Sequence, residues 1–142
     1  RNLGGIPVKV SRRREEWFLA TRSRHAFTID GQMCVNRDGT LKGYSLDVLT
    51  KTVAYASDGH SIASAGGNKV AFLYPRCAYA YSSNTCFTNL PSAAAMRGYG
   101  APQVVFGVES MLDDAGTALG IDPVEIRIRN AAREGDGNQL TG

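Results

Sequence analysis

Cysteine, histidine and an excess of either charge are all scarce in this sequence. Three cysteines, Cys34, Cys77 and Cys86, form no C-x-x-C pair and stand beside only two histidines, His25 and His60. A disulfide scaffold or a structural zinc site needs more ligands at tighter spacing, so both are excluded and the thiols read as reduced, in a cytoplasmic protein. Lys and Arg number 16 against 13 Asp and Glu, a formal charge of +3 on a chain only 20% charged. That is too little to hold a chain disordered, and it leaves no electrostatic footprint for nucleic acid. No apolar run approaches the ~18 residues of a membrane span, and no charged-then-apolar signal opens the chain. Neither an internal repeat nor a dividing linker is visible. The 142 residues therefore read as one soluble domain with neither nucleic acid nor membrane as partner. A start at Arg1 without initiator Met, and a polar end at Thr141-Gly142, predict a piece of a longer protein.

What is present alternates first and turns helical later. Arg1-Asn2-Leu3-Gly4-Gly5 reads as an irregular entry, and Ile6 to Val10 alternates as a short strand would. Ser11 is placed to cap a short helix with Glu15 and Glu16 near its positive end, buried through Trp17, Phe18 and Leu19. Arg12-Arg13-Arg14 then reads as a solvated helix start. Ala26 to Val35 and Thr40 to Tyr55 are β segments joined by the turn signal Asn36-Arg37-Asp38-Gly39, an antiparallel hairpin. Ser57 to Tyr74 is ambiguous, because Gly66-Gly67 weakens a helix there. Arg76 to Thr88 suggests another strand, with Tyr79 and Tyr81 on one face.

The clearest helix covers about 102–119, with Pro102 in its first turn, Gly120 as its stop, and a stripe of Val104, Val108, Met111, Leu112, Ala115 and Leu119. A second spans about 123–133 behind the cap Asp122-Pro123-Val124-Glu125. The chain thus divides into a β-rich 1–90, a turn at 96–103 and the two helices. Strands first and helices last predict an α+β fold in two layers, helices on one face of an antiparallel sheet.

Two segments could carry chemistry. In Met96-Arg97-Gly98-Tyr99-Gly100-Ala101-Pro102-Gln103, two glycines flank an aromatic just before a helix N-terminus. Glycine allows a close backbone approach, and unsatisfied N–H groups with a positive dipole end favour an anion. Arg97 adds a planar cationic fork, and Tyr99 could offer its ring to a flat ligand. As a bare pattern it also describes an ordinary tight turn, and Gln103 at the sixth position breaks any dinucleotide fingerprint. The second segment is Ser23-Arg24-His25-Ala26-Phe27, where Arg24 could bind a carboxylate or exocyclic oxygen and His25 could either titrate or simply pack. No G-x-S-x-G elbow supports a hydrolase.

In order along the chain, Ser11-Arg12 with Glu15-Glu16, Ser23-Arg24-His25, Thr88-Asn89-Leu90-Pro91 and Arg97-Gly98-Tyr99-Gly100-Ala101-Pro102-Gln103 resemble the molybdenum-binding subunit of the xanthine dehydrogenase and aldehyde oxidase family. Asp122-Pro123, Arg129-Asn130 and Arg133-Glu134-Gly135-Asp136 continue the likeness, which covers nearly the whole chain. The resemblance implies an oxidoreductase acting on a purine-like heteroaromatic, with oxygen transferred from water and hydride to a molybdenum-sulfido centre. Its cofactor would be a molybdenum-molybdopterin, in dinucleotide form, with iron–sulfur clusters and FAD on partner domains or subunits. Met96, Arg97 and Gly98 match cofactor contacts, Tyr99 a substrate-stacking aromatic, and Arg24 a substrate-binding, catalytic position that polarises a ring oxygen. No residue of this chain would ligate the metal itself.

Met96 and Ala26 depart from the commoner Phe and Pro, which leaves nicotinate, an aldehyde or an aromatic thioester as alternative substrates. The family's Gly-rich cofactor motif and general-base Glu fall outside this stretch. Gly107-Val108-Glu109 reads instead as helix with Glu109 facing solvent. The chain is therefore expected to be an interior fragment of a larger molybdopterin-binding region, inactive alone and completed by the remaining molybdenum-binding segments. From a different class, a stand-alone module holding a small anion at the turn before Gln103 stays open.

Overall fold

Asn36-Arg37-Asp38-Gly39 turns the chain through bonds from its own side chains. The Asp38 carboxylate accepts from the Thr40 hydroxyl at 2.7 Å and the Thr40 N–H at 2.9 Å, while Gly39 N donates to Asn36 O at 2.9 Å. The Thr40 hydroxyl, then the Thr40 amide, hold the Asp38 carboxyl below its usual range. Around this turn β1 (Phe27–Val35) and β2 (Leu41–Lys51) pair antiparallel, from Phe27 opposite Thr50 to Cys34 opposite Gly43, with a bulge before Val35. In this computed structural model, which describes residues 4–54 and 56–137, β3 (Ala78–Cys86) lies on the other side of β2. The expected start at Arg1-Asn2-Leu3, the end of the long β segment at Tyr55 and the tail at Thr141-Gly142 lie outside those residues.

The class is α+β, but the sheet is mixed where an antiparallel one was expected. Strand β3 runs parallel to β2, Gly43 opposite Ala78 through Lys51 opposite Cys86. Parallel neighbours need a crossover of a dozen or more residues, usually a helix. The ambiguous stretch supplies it as α2 (Gly59–Val70), where the two glycines serve packing. A Cβ on Gly67 would stand 2.5 Å from the Tyr81 ring, and one on Gly66 2.9 Å from Val104. Both positions stay bare so that α2 can lie close against both the sheet and its neighbour on that face, α3 (Ala101–Leu119).

One face of the sheet takes this cover, since side chains alternate along strands. Tyr44, Leu46 and Val48 pack with Val70 of α2 and with Val104, Val108 and Leu112 of α3. Of the α3 stripe, Met111 and Ala115 pack at the core's margin, and only Leu119, 37% exposed, falls outside it. The last helix, α4 (Pro123–Asn130), opens where the Asp122 carboxylate accepts from Val124 N at 2.8 Å and Glu125 N at 3.1 Å. It stops short of Arg133 because Asn130 is buried across the hairpin, accepting from Leu41 N and donating to Gly39 O, each at 2.8 Å.

Two expectations near the start are corrected. Residues Ile6 to Val10 form no strand; Ile6, Val8 and Val10 are 71%, 64% and 76% exposed, and none of the three strands pairs with them. The short helix is α1 (Arg14–Ala20), which follows Arg13 rather than Ser11, with Arg13 N donating to Glu16 at 2.7 Å. It buries no residue. Three consecutive positions such as Trp17, Phe18 and Leu19 fan around about 200° of a helix and cannot share one apolar face.

Three tyrosines tie the sheet to the helix that covers it, and a fourth, Tyr74, reaches α3 from outside the sheet. The Tyr79 and Tyr81 hydroxyls donate to the Gly67 and Ala63 carbonyls of α2 at 2.9 and 2.6 Å, and that of Tyr44 to Val70 O at 3.4 Å. The Tyr74 hydroxyl donates to Glu109 at 2.6 Å. Burial, the first cause in each case, raises all four phenols above their usual range. Since the folded form holds these protons more tightly than the unfolded chain, stability is complete below about pH 10 and falls as pH rises beyond it. Phenolate absorbance and loss of far-UV ellipticity should therefore rise together in an alkaline titration. Ionisation of these phenols near pH 10 with the sheet intact would contradict their burial.

Candidate functional site

A single parallel bridge brings the two chemistry-bearing segments together. Ser23 pairs with Ala93, through Ser23 N to Ser92 O and Ala94 N to Ser23 O, each 3.0 Å. Arg24 thereby meets the bend that starts a few residues on. Its Nη2 donates to the Arg97 carbonyl at 2.7 Å, across 73 positions of sequence, and its Nη1 to Gln103 Oε1 at 3.4 Å. Gln103 Nε2 in turn donates to the His25 carbonyl at 3.0 Å.

The adjacent His25 is 2% exposed and is a packing residue. Because a carbonyl only accepts, its Nδ1 carries the proton given to Lys51 O at 2.9 Å. Its Nε2 is buried without a protein partner.

The bend itself has three successive residues at positive φ: Gly98 at 91°, Tyr99 at 46° and Gly100 at 89°. A non-glycine residue there is strained and must be held by its surroundings. Lys69 of α2 holds it, donating to Gly98 O at 2.8 Å and lying 5.5 Å over the Tyr99 ring. The Tyr99 hydroxyl is 3.0 Å from Ser61 Oγ. Tyr99 is thus half-buried and turned along α2.

Arg24 is half-buried where depressions meet. One of about 610 Å³ runs between β1 and α3, walled by Arg24, Phe27, Ile29, Pro102, Gln103 and Phe106 among others. A second, of about 640 Å³, is lined by Arg24 and Met96 with Trp17, Phe18 and three further arginines of the α1 region. Tyr99 is not in the wall of either. Of the residues singled out, Arg24, Met96 and the Arg97 backbone are therefore brought together, whereas the Tyr99 ring faces Lys69 and Ser61. The Arg97 side chain is exposed and, among the described residues, takes part in no hydrogen bond or ion pair.

Sequence reasoning missed Lys69 and Ser61, whose helix was obscured by its own glycines, and gave Gln103 no role. Glu109 is corrected as well. It is not a free helix surface group: its two oxygens accept from Tyr74 at 2.6 Å and from Arg127 Nε at 2.7 Å. Asp113 completes the pairing 2.8 Å from Arg127, and the two acids raise the guanidinium's proton affinity, Glu109 first. This cluster clasps α4 to α3.

Chemically, the bend combines an unpaired guanidinium, a second arginine and a lysine with the positive end of α3. This donor set suits an anionic, oxygen-rich group. Among the described residues no group of three or more His, Cys, Asp or Glu gathers to hold a metal ion. No helix among them is long and apolar enough to cross a membrane.

The chain has relatives among known proteins. Residues 1–131 match the molybdopterin cofactor-binding domain. The chain is 87% identical over 140 residues to a putative xanthine dehydrogenase molybdenum-binding subunit of Escherichia coli (strain K12), covering 99% of this chain and 19% of that relative. It is 32% identical over 129 residues to a nicotinate dehydrogenase large molybdopterin subunit of Eubacterium barkeri, covering 91% of this chain and 30% of that protein. The fold matches the crystal structure of an aldehyde oxidoreductase from Desulfovibrio desulfuricans at a TM-score of 0.77 and 29% identity, covering 83% of this chain and 13% of that one. The chain thus spans about a fifth of the length of the first relative.

Proposed function

We propose that this chain, which belongs to the molybdopterin cofactor-binding domain family, forms part of the catalytic wall of a cytoplasmic molybdenum hydroxylase that oxidises a purine-like heteroaromatic. The observation that carries the reading is the 2.7 Å bond from the Arg24 guanidinium to the Arg97 carbonyl. It sets a half-buried cation against the strained bend, beside an exposed arginine with no counter-ion among the described residues. In this reading Met96, Arg97 and Gly98 contact the molybdopterin group. Arg97 meets its anionic oxygens with a planar donor fork.

When bound, that group supplies a two-electron oxidation in which an oxygen derived from water is added to the substrate carbon and a hydride is removed. The chain's own part is positioning and charge. Arg24 has five N–H donors, of which two are spoken for. The remainder are free to stabilise negative charge that develops on a ring oxygen, a preorganised contribution that costs no reorganisation during reaction. Tyr99 supplies an aromatic edge beside the bend, tethered by Ser61 and Lys69. The general base, the rest of the cofactor cradle, and the iron–sulfur and flavin carriers of the electrons belong to the remaining polypeptide and its partners.

The test uses the complete subunit purified with its partners. Stoichiometric molybdenum is expected, together with faster turnover of an oxo-purine than of nicotinate or an aldehyde. Arg97→Ala should reduce the molybdenum retained after gel filtration several-fold, the consequence of losing one charge-assisted contact. A folded, metal-free complete protein that binds only small anions would overturn the enzyme reading in favour of an anion-binding module.

A further inference from the structure

Gln103 holds two different groups with the two ends of one amide. Its nitrogen donates to the His25 carbonyl at 3.0 Å, and its oxygen faces the Arg24 guanidinium at 3.4 Å. The orientation is forced: a carbonyl only accepts and a guanidinium only donates, so the amide fits one way round. Gln103 also stands in the first turn of α3, directly behind the bend whose Arg97 carbonyl anchors the other fork of Arg24. The guanidinium is thereby fastened at two points, while the backbone that carries it is fastened through His25. From the other side, His25 Nδ1 donates to Lys51 O at 2.9 Å, so this peptide is pinned between α3 and the end of β2.

We infer that Gln103 is the positioning residue of Arg24, setting where its free N–H donors point in the groove between β1 and α3. This rests on the reading of Arg24 given above, and Gln103 itself touches neither substrate nor cofactor. No other side chain in the wall of that groove hydrogen-bonds to the Arg24 guanidinium. With a shape-preserving apolar residue at 103, Arg24 keeps its bond to Arg97 but is free to swing about it. A donor misplaced by about 1 Å can lower turnover by up to about 10²-fold.

The experiment compares Gln103→Met, Arg24→Met and the double variant in the complete holoenzyme, at equal molybdenum content. Rates are taken on an oxo-purine and on an aldehyde that has no ring oxygen. Gln103→Met is expected to lower kcat on the oxo-purine about tenfold with little change in KM, and to leave aldehyde turnover within about twofold. The double variant should be no slower than Arg24→Met alone, since Gln103 acts only through Arg24. An additive double variant, an equal loss on both substrates, or no loss in Gln103→Met would each overturn the inference. Failure of the underlying reading looks different: Arg24→Met itself would then leave the ratio of oxo-purine to aldehyde turnover unchanged.

Discussion

Arg24→Met is expected to lower oxo-purine turnover by the complete enzyme about 10²-fold or more, the scale of removing one preorganised donor at a developing charge. The argument is local. Methionine keeps much of the stem that lines the groove but offers no N–H to a ring oxygen. The Arg97 carbonyl that loses its partner lies in an exposed bond, so water replaces the guanidinium there with little effect on stability. Molybdenum content should therefore match the unsubstituted enzyme, and an aldehyde should still be oxidised. Arg24→Lys should fall between the two, because a point charge cannot reach the Arg97 carbonyl and a substrate oxygen with one rigid fork. Steady-state kinetics on both substrates decides the matter. Unchanged oxo-purine kinetics at full metal loading would remove Arg24 from the reaction and return it to a purely structural contact.

How much of this was legible beforehand depended on whether a feature is local. The hairpin announced itself because Asn36, Asp38 and Thr40 bond one another within a few residues, and the α4 cap because Asp122 reaches only to Glu125. Helix α2 was obscured by Gly66 and Gly67, whose bareness answers to Val104 and Tyr81, residues far along the chain. The direction of β3 was hidden for the same reason, since it follows from that crossover. Trp17, Phe18 and Leu19 are misleading because apolar character does not by itself mean burial, and helical geometry cannot turn all three one way.

At the candidate site, Arg24 and the glycine-flanked bend were each readable as isolated signals. Their contact was not, because it depends on the Ser23 to Ala93 bridge, and no short-range pattern encodes a bridge between two loops. Lys69 was invisible on the same grounds: a lysine in the last turn of an unrecognised helix carries no hint that it caps a bend 29 residues away. The resemblance supplied what locality could not, and the geometry then added Gln103 and Lys69 to it.

The bend should also be the most fragile point of the fold. Gly100→Ala places a Cβ against the Ile62 carbonyl oxygen and 3.1 Å from the Gly66 backbone, at a φ of 89° that side chains rarely adopt. Positive φ alone costs an alanine about 1–2 kcal/mol. Overpacking adds about 1–3 kcal/mol, and here the obstacle is backbone, which cannot swing aside as a side chain would. Together these predict a loss of about 2–5 kcal/mol, or a Tm lower by roughly 5–20 °C for a domain of this size. Gly120→Ala separates the two contributions. Gly120 has a φ of 66° but nothing within 4 Å of where an alanine methyl would stand, so it should lose only the conformational part, about 1–2 kcal/mol. Thermal unfolding of both variants side by side reads the difference. Equal losses would mean that α2 and α3 do not approach closely at Gly66 and Gly100. Lys69, which reaches the bend from that same helix, would then no longer be placed to hold Gly98 and Tyr99 in their strained conformation.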